Sequence, residues 1–368
     1  MNHKERISEL QMAVLIGAGI VELGLYSFPR DLVEGAGRQH FLALAVTLLL
    51  GLLSALVMAK VILYFGRQSG IQTTLCVFGR PLGLLLVVPA IAFHIALAAI
   101  CLRYFGDLMN TYFLPRTPPE AVMLLIILSV VFITGQGMAA TARLATLMVP
   151  AFIGVVVLAY LLVTYKMTEW GAVFPAMRLW PPTYLSGSLQ IIYLIVGLES
   201  IAIFLPMVGK VTRPYFWVAV PTIVNGIVLV IVAAVTYGVM GLEPVAQLYY
   251  PGVAVLRTLR LPGLLVERTG ALIALAWTVL KICYVAVRFL TVPMALCTCF
   301  GLPMARYRIF LLPLAILTFF LARWPANSVE VSYLLENWIG PLGLLFNVIF
   351  ALLVWLVGWA LGKGVTAA

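Results

Sequence analysis

Long apolar runs without charge alternate along the chain with short polar segments that hold nearly all the charged residues. Several runs, such as 41–59, 121–142, 214–242 and 337–362, reach or approach the roughly 20 residues that a helix needs to cross a bilayer core. Lipid cannot satisfy backbone hydrogen-bonding groups, which favours helices for these runs. The alternating segments of an outer-membrane barrel are absent. The pattern predicts an all-α polytopic membrane protein.

About ten spans follow from this pattern, and they form a single transmembrane domain over residues 1–368. Proline-rich connections such as 114–119 separate several of them. The ninth span has the weakest signal, because Arg306, Arg308 and Arg323 leave it few uncharged residues. The predicted spans lie near residues 8–30, 39–65, 82–113, 119–136, 141–165, 184–208, 214–240, 266–297, 305–323 and 336–362, in two repeats of about 8–165 and 184–362.

Composition narrows the class further. Hydrophobic residues make up 64% of the chain and charged residues 10%, against about 25% charged in ordinary soluble domains. The net charge of +10 would suggest nucleic acid in a soluble domain, but here the charges lie between apolar spans. Nucleophile, phosphate-binding and metal-ligand spacings are missing, so we expect neither an enzyme nor a cofactor or metal. The five cysteines fit small buried hydrophobes.

The loops favour a cytoplasmic N-terminus. Ten spans place both termini on one side of the membrane. With the N-terminus inside, Lys and Arg divide almost evenly between the two sides, but the inside loops are shorter and nearly free of acidic residues. The N-terminal segment lacks the basic region and cleavage site of a signal peptide, so we expect it to be retained.

The two halves match at one place. Glu22 lies seven residues before Pro29, and Glu199 lies seven residues before Pro206, with glycines close by in both segments. Each segment belongs to the first span of its half. Interrupted apolar segments at corresponding positions of two halves point to the substrate site of a transporter. We therefore expect helices one and six to break here and the two prolines to end them.

The two glutamates are the strongest functional candidates, because a carboxylate at the centre of a membrane helix costs about 2.5–3.5 kcal/mol and normally faces the protein interior. A broken helix frees N–H groups that attract an anion, while freed carbonyls and a glutamate attract an ammonium group. These features suit a zwitterionic amino acid. A purely structural carboxylate paired with a neighbouring helix is the alternative. The predicted substrate-binding residues are Val21, Glu22, Leu23, Gly24, Gly197, Leu198, Glu199 and Ser200.

Span eight offers a basic partner for these carboxylates. The spacing places four residues on one helix face: Trp277, Lys281, Tyr284 and Arg288. We expect Lys281 to lie near one of the two glutamates, where it would replace a coupling cation or form a structural ion pair. Arg288 is nearer the helix end and is expected to snorkel to the surface. His94 is a further ion-pair candidate, with a hydrogen-bonded structural histidine as the alternative.

Short motifs spread from end to end of the chain match a known family in order and spacing. They are Phe28-Pro29-Arg30, Phe78-Gly79-Arg80-Pro81-Leu82-Gly83, Arg116-Thr117-Pro118, Gly137 with Arg143, Phe174-Pro175, Gly197-Leu198-Glu199, Leu205-Pro206, Glu267-Arg268 with Trp277, and Trp324-Pro325. In these motifs the chain resembles the B-subunits (GerAB-type) of spore germination nutrient receptors, a branch of the amino acid–polyamine–organocation (APC) transporter superfamily.

The resemblance implies a LeuT-like 5+5 inverted repeat with broken helices one and six. It implies a subunit that binds a small nutrient, often an amino acid, between those helices and acts with A and C subunits in the spore inner membrane. One departure is Glu22, which stands where the family often has the first glycine of Gly-x-Gly. A proton-coupled amino-acid transporter would share such a pocket and is the alternative function. A membrane scaffold without a ligand is a third.

Overall fold

The computed structural model describes residues 6–21, 24–174, 182–259 and 269–364. Within these ranges the chain is helical, and strand-like pairing is limited to one isolated bridge between Ile7 and Val208. The α-helices are α1 (Glu9–Val21), α2 (Phe28–Ala36), α3 (His40–Tyr64), α4 (Gly70–Phe78), α5 (Arg80–Tyr112), α6 (Pro119–Gly135), α7 (Met138–Val163), α8 (Trp170–Val173), α9 (Thr183–Gln190), α10 (Ile201–Phe204), α11 (Pro214–Met240), α12 (Leu242–Gln247), α13 (Pro251–Arg257), α14 (Thr269–Phe300), α15 (Leu311–Ala322), α16 (Ser328–Leu334), α17 (Gly340–Leu344) and α18 (Phe350–Ala360).

The membrane spans are formed by the long apolar helices. Among the described residues, seven helical stretches are long and apolar enough to cross a bilayer: Phe28–Tyr64, Arg80–Tyr112, Met138–Lys166, Pro214–Met240, Gly270–Phe300, Met304–Ala322 and Ser328–Ala360. The pair Thr183–Gln190 and Ile192–Met207 also qualifies and is bent by 54°. Two shorter apolar helices, Glu9–Ile20 and Pro119–Gly135, lie at the predicted first and fourth spans. These elements agree with the predicted spans. The count of ten spans stays a prediction, because the helices at the first and fourth spans are shorter than a full membrane span.

The first span is broken as predicted, but Pro29 begins a helix where the sequence suggested that it would end one. α1 is described as far as Val21, residues 24–27 are not helical, and α2 starts at Phe28 with Pro29 in its first turn. Proline suits this position because the N–H that it lacks has no helical partner there and its φ is already helical. The sixth span is also divided into short helical pieces, and Pro206 lies in the last of them, Leu205–Met207.

Apolar side chains cover the outside of the bundle, while charged side chains lie within it. Leu85 and Phe132 are each 70% exposed. Lys281 and Arg288 are each 0% exposed, and Glu199 is 7% exposed. A soluble protein seldom buries Lys, Arg or Glu in this way. The distribution is that of a multi-pass membrane protein whose outer surface faces lipid.

The two broken spans pack against each other through glycines. Gly24 has φ +73°, and a Cβ there would lie 2.2 Å from Cε2 of Tyr193. Gly197 has φ +124°, and a Cβ there would lie 2.1 Å from the carbonyl oxygen of Gly19. L side chains rarely adopt such φ values, and no Cβ fits at these distances. Glycine at both breaks therefore permits the close contact between spans one and six.

Both pieces of span one are fastened to neighbouring elements. At the start of α1, the Glu9 carboxylate accepts hydrogen bonds from the backbone N–H groups of Thr212 and Arg213, each at 2.8 Å. In α2, the Asp31 carboxylate accepts one from the Tyr193 hydroxyl at 2.5 Å. Charge-assisted hydrogen bonds of this kind are among the stronger ones in proteins. The first holds α1 at the segment that leads into α11, and the second holds α2 beside the sixth span.

Candidate functional site

Glu199 stands where the second half of span six begins. Gly197 turns the chain, and a 3-10 helix over Leu198–Ser200 leads into α10. The first N–H groups of a helix lack intrahelical partners. Oε2 of Glu199 accepts a hydrogen bond from the Gly197 N–H at 2.7 Å, and the Ser200 hydroxyl donates to the Gly197 carbonyl at 2.6 Å. One oxygen of Glu199 therefore has a structural role at the helix start.

The other carboxylate oxygen faces two basic side chains. Oε1 of Glu199 lies 3.5 Å from Nη1 of Arg288 and 3.6 Å from Nδ1 of His94. Charge-assisted hydrogen bonds usually measure about 2.7–2.9 Å, so neither contact is a close hydrogen bond. Arg288 forms an ion pair with Glu199 at this longer range, whereas His94 forms one only when its ring is protonated. Oε1 has no hydrogen-bond partner among the described residues. It is a buried acceptor with unused capacity for a hydrogen bond.

Arg288 does not snorkel to the surface, which corrects the expectation from the sequence. Its guanidinium is buried, with Nη2 donating to the Gly19 carbonyl oxygen at 2.8 Å. Its central carbon lies 4.9 Å from the centre of the Tyr284 ring. A buried charge is tolerated when opposite charge and hydrogen bonds surround it. Glu199 and the Gly19 carbonyl supply those partners. Arg288 therefore stays buried in the bundle although it lies nearer the end of the predicted span than Lys281 does.

Lys281 and Trp277 also point into the bundle, as the shared face on span eight predicts. Nζ of Lys281 lies 2.9 Å from Sγ of Cys101 and between 5.3 and 5.7 Å from three aromatic ring centres, one of them Tyr26. The Trp277 ring packs edge-on against Tyr26 with ring centres 4.9 Å apart. A pairing of Lys281 with Glu22 stays a prediction, because Glu22 lies outside the described residues.

The remaining predicted site residues lie around the two breaks. Outside the described residues lie Glu22 and Leu23, as well as Pro175, Glu267 and Arg268 of the family motifs. Val21 is the last residue of α1. Leu198 and Ser200 are 0% exposed at the start of the second half of span six. Of the predicted residues, Glu199 and His94 are brought within ion-pair distance of each other.

A cavity of about 90 Å³ lies beside Glu199, between α3, α4, α5, α10, α14 and α18. One water molecule needs only about 10–15 Å³, so the space suits a small organic molecule. Its walls are mostly apolar, with Ile91 and Phe346 among them. Thr73, His94 and Glu199 also line it, and each has a buried side-chain atom that lacks a hydrogen-bond partner in the described part of the chain. Such atoms are uncommon in native interiors.

Thr73 and the depth of Arg288 are the features that the sequence did not indicate. Thr73 lies in α4, in a stretch between two predicted spans where no periodic or charge signal marks a site. Arg288 shares one face of span eight with Trp277, Lys281 and Tyr284, and that shared face was the only sequence feature that indicated an inward-pointing side chain.

Among the described residues, no group of three or more His, Cys, Asp or Glu side chains is placed to hold a metal ion.

The chain is similar to known proteins along most of its length. The family described as "Spore germination protein" matches residues 6–331. Spore germination protein B2 of Bacillus subtilis (strain 168) is 18% identical over 369 residues, covering 98% of each chain. Spore germination protein YndE of the same strain is 20% identical over 284 residues, covering 74% of this chain and 75% of that one.

The fold is similar to that of a solved transporter structure. The crystal structure of MhsT in complex with L-phenylalanine matches with a TM-score of 0.65, at 16% sequence identity, over 94% of this chain and 89% of that chain. At this identity the likeness shows the fold alone. It confirms the LeuT-like architecture predicted from the sequence.

Proposed function

Because the chain belongs to the spore germination protein family, we propose that it is the membrane subunit of a nutrient receptor that binds a small amino acid beside Glu199. In this proposal the N-terminus is cytoplasmic, and the chain acts with A and C receptor subunits in the spore inner membrane. The transporter-like fold supports a ligand-binding role, because such folds hold their substrates near the interrupted helices in the middle of the bundle.

The observation that carries the proposal is the set of unsatisfied polar atoms at the cavity. Oγ1 of Thr73, Nδ1 of His94 and Oε1 of Glu199 belong to side chains that line one apolar space, and none has a hydrogen-bond partner among the described residues. Leaving a buried polar group unpaired costs about 1–3 kcal/mol. A ligand that pairs with these atoms recovers that free energy on binding.

The chemistry of the site fits a zwitterion with a small apolar side chain. Glu199 and Arg288 compensate each other's charge, so a ligand of zero net charge adds no uncompensated charge to the interior. The ligand ammonium group would donate to Glu199, and its carboxylate would accept from the Thr73 hydroxyl and from His94. The apolar walls would surround the side chain. The L-phenylalanine bound to MhsT belongs to the same ligand class and supports this assignment.

Glu199→Gln tests this role in spores that carry the variant as their sole copy of the subunit. The glutamine can still accept the Gly197 N–H hydrogen bond, but it carries no charge for the ligand ammonium. A hydrogen bond to a charged group contributes about 1.5–3 kcal/mol. We expect the dose-response curve for germination by L-amino acids to move to about ten- to 150-fold higher concentration.

The matched control is Glu243→Gln, which removes one carboxylate from an exposed position at the start of α12. We expect this control to leave the dose-response curve unchanged. Immunoblots of spore membranes establish that both variants accumulate to the wild-type level. An unaltered curve for Glu199→Gln at wild-type abundance would remove Glu199 from the ligand site.

A proton-coupled amino-acid transporter is the second candidate, favoured by the likeness in fold to MhsT over 94% of this chain. The two functions share one pocket and differ in whether the ligand crosses the membrane. Uptake of radiolabelled L-amino acids into proteoliposomes that contain this chain alone distinguishes them. A receptor subunit binds without accumulating the ligand, whereas a transporter accumulates it when a proton gradient is imposed.

A further inference from the structure

A groove of about 460 Å³ runs along the outer surface of the bundle between α1, α7 and α11. Every described side chain that lines it is apolar. The small residues Ala13 and Gly17 on α1, and the prolines Pro150 and Pro221 within the two longer helices, leave this space unfilled. Ile227 on its wall is 55% exposed. The groove therefore opens on the surface of the protein that faces lipid.

The three helices around the groove run in the same direction. At one end, the Glu9 carboxylate in the first turn of α1 accepts a hydrogen bond from the N–H of Arg213, the residue before α11. At the other end, the N–H of Glu169, shortly after α7, donates to the carbonyl oxygen of Gly238 in the last turn of α11 at 2.9 Å. α1, α7 and α11 therefore begin at the same face of the membrane, which is the cytoplasmic face in the proposed orientation.

The size of the groove matches one acyl chain of a lipid. On α11 it extends from Val220 to Ile231, about 17 Å of helix, which is close to half of the roughly 30 Å hydrocarbon core. Its volume holds roughly 15 methylene groups if each is about as large as a water molecule in the liquid. A helix of the same length and about 10 Å diameter would need roughly 1,300 Å³. The groove therefore suits a chain from one leaflet rather than a helix of a partner protein.

Basic side chains lie at the end where the groove begins. Arg143 is seven residues before Pro150 and on the same face of α7, and Arg213 immediately precedes α11. Both arginines are exposed. Glu9 lies at the same end, but its carboxylate already accepts three hydrogen bonds from the segment that leads into α11. Basic pockets between membrane helices at this level bind the head groups of anionic lipids.

We propose that this groove binds one acyl chain of an anionic phospholipid whose phosphate pairs with Arg143 and Arg213. The lipid chain leaves an apolar solvent for an apolar groove, so close packing and the charge of the head group supply the selectivity. The bound chain packs against α1, the helix that precedes the break in span one. It thereby holds α1 against α7 and α11.

Native mass spectrometry of the purified full-length chain in a neutral detergent tests the head-group contact. The probes are dioleoylphosphatidylglycerol, which is anionic, and dioleoylphosphatidylcholine, which has the same acyl chains and no net charge. We expect one saturable site that prefers phosphatidylglycerol by about 30-fold, because each arginine near the membrane surface contributes roughly a factor of five. Arg143→Gln combined with Arg213→Gln should remove this preference. Arg323→Gln, at an exposed position after α15, should leave it unchanged.

Val224→Trp tests the groove itself. Val224 lines the groove and is 41% exposed, whereas Val230 is 42% exposed on another face of the same helix, α11. The larger ring at position 224 should fill the groove and block the binding of both lipids. Val230→Trp makes the same chemical change away from the groove and should leave binding unchanged. Size-exclusion chromatography establishes that both variants are folded.

Equal affinity of the wild-type chain for the two lipids would overturn the proposal, and so would an unchanged preference in the double arginine variant. Lipid binding that Val224→Trp leaves intact would mean annular lipid only and would also overturn it. The test contains no amino acid, so its result is independent of the ligand site proposed beside Glu199.

Discussion

Replacing Gly197 by alanine is expected to abolish the close packing of spans one and six. The residue has φ +124°, and an added Cβ would lie 2.1 Å from the Gly19 carbonyl oxygen. That oxygen is backbone and cannot rotate away, so α1 must move. Backbone strain and overpacking together should cost roughly 2–6 kcal/mol of the free energy of unfolding. This is a large share of the roughly 5–15 kcal/mol that stabilises a typical protein.

Gly154→Ala is the matched control for this substitution. Gly154 lies within α7, and a Cβ there would meet no heavy atom within 4 Å beyond the backbone of its own helix and its chain neighbours. Alanine should stabilise that helix by roughly 0.5–1 kcal/mol because it loses less backbone entropy than glycine. The melting temperatures of both variants in lipid nanodiscs check the prediction. Equal melting temperatures would show that the contact at Gly197 is not tight.

Arg288→Met is expected to destabilise the protein by about 3–5 kcal/mol, because it leaves the Glu199 carboxylate buried without its cation. Methionine keeps much of the apolar part of the arginine side chain, so most of the lost stability is due to removal of the guanidinium charge. Denaturant unfolding in mixed micelles measures the change in free energy. Arg323→Met at an exposed position provides the control and should change the free energy of unfolding by less than about 0.5 kcal/mol.

The double variant Arg288→Met, Glu199→Gln assigns this effect to the pair. Once the arginine is gone, removal of the carboxylate charge should restore part of the lost stability. The two changes should therefore be coupled, by about 0.5–3 kcal/mol. Strictly additive effects of the two substitutions would mean that the guanidinium and the carboxylate act independently, and that the 3.5 Å contact contributes nothing.

The fold followed from the sequence because the bilayer imposes simple rules on length and polarity. Runs such as 214–242 are apolar over the length of a span, and α11 lies there. The break in span one was also predicted, from the proline and glycine near Glu22. The position of Pro29 at the start of a helix was not predicted. A proline that ends one helix and a proline that begins the next have similar neighbours in the sequence. The inverted repeat remains a prediction.

The candidate site was only partly predictable, because pairing in three dimensions depends on how helices rotate and cross. Glu199 was identified because a carboxylate in an apolar membrane span is energetically unfavourable unless it faces the protein interior. Its partners came from spans three and eight, and the sequence does not show whether His94, Lys281 or Arg288 comes nearest. Thr73 belongs to a connecting helix whose contact with the cavity follows from tertiary packing alone.

Thermal-shift binding of L-amino acids to the purified chain tests the central claim, that a nutrient occupies the cavity beside Glu199. Ala295 lines the cavity and is 2% exposed, so Ala295→Leu should fill the space. Ala271 lies exposed on the same helix, so Ala271→Leu makes the same chemical change away from the cavity. Both variants add volume without adding charge or a polar group.

The expected result is a rise in melting temperature with one or more small apolar L-amino acids for the wild-type chain and for Ala271→Leu. Ala295→Leu should fold and show no such rise. Undiminished ligand stabilisation of Ala295→Leu, or a wild-type chain that no amino acid stabilises, would contradict the proposal that the cavity is the nutrient site.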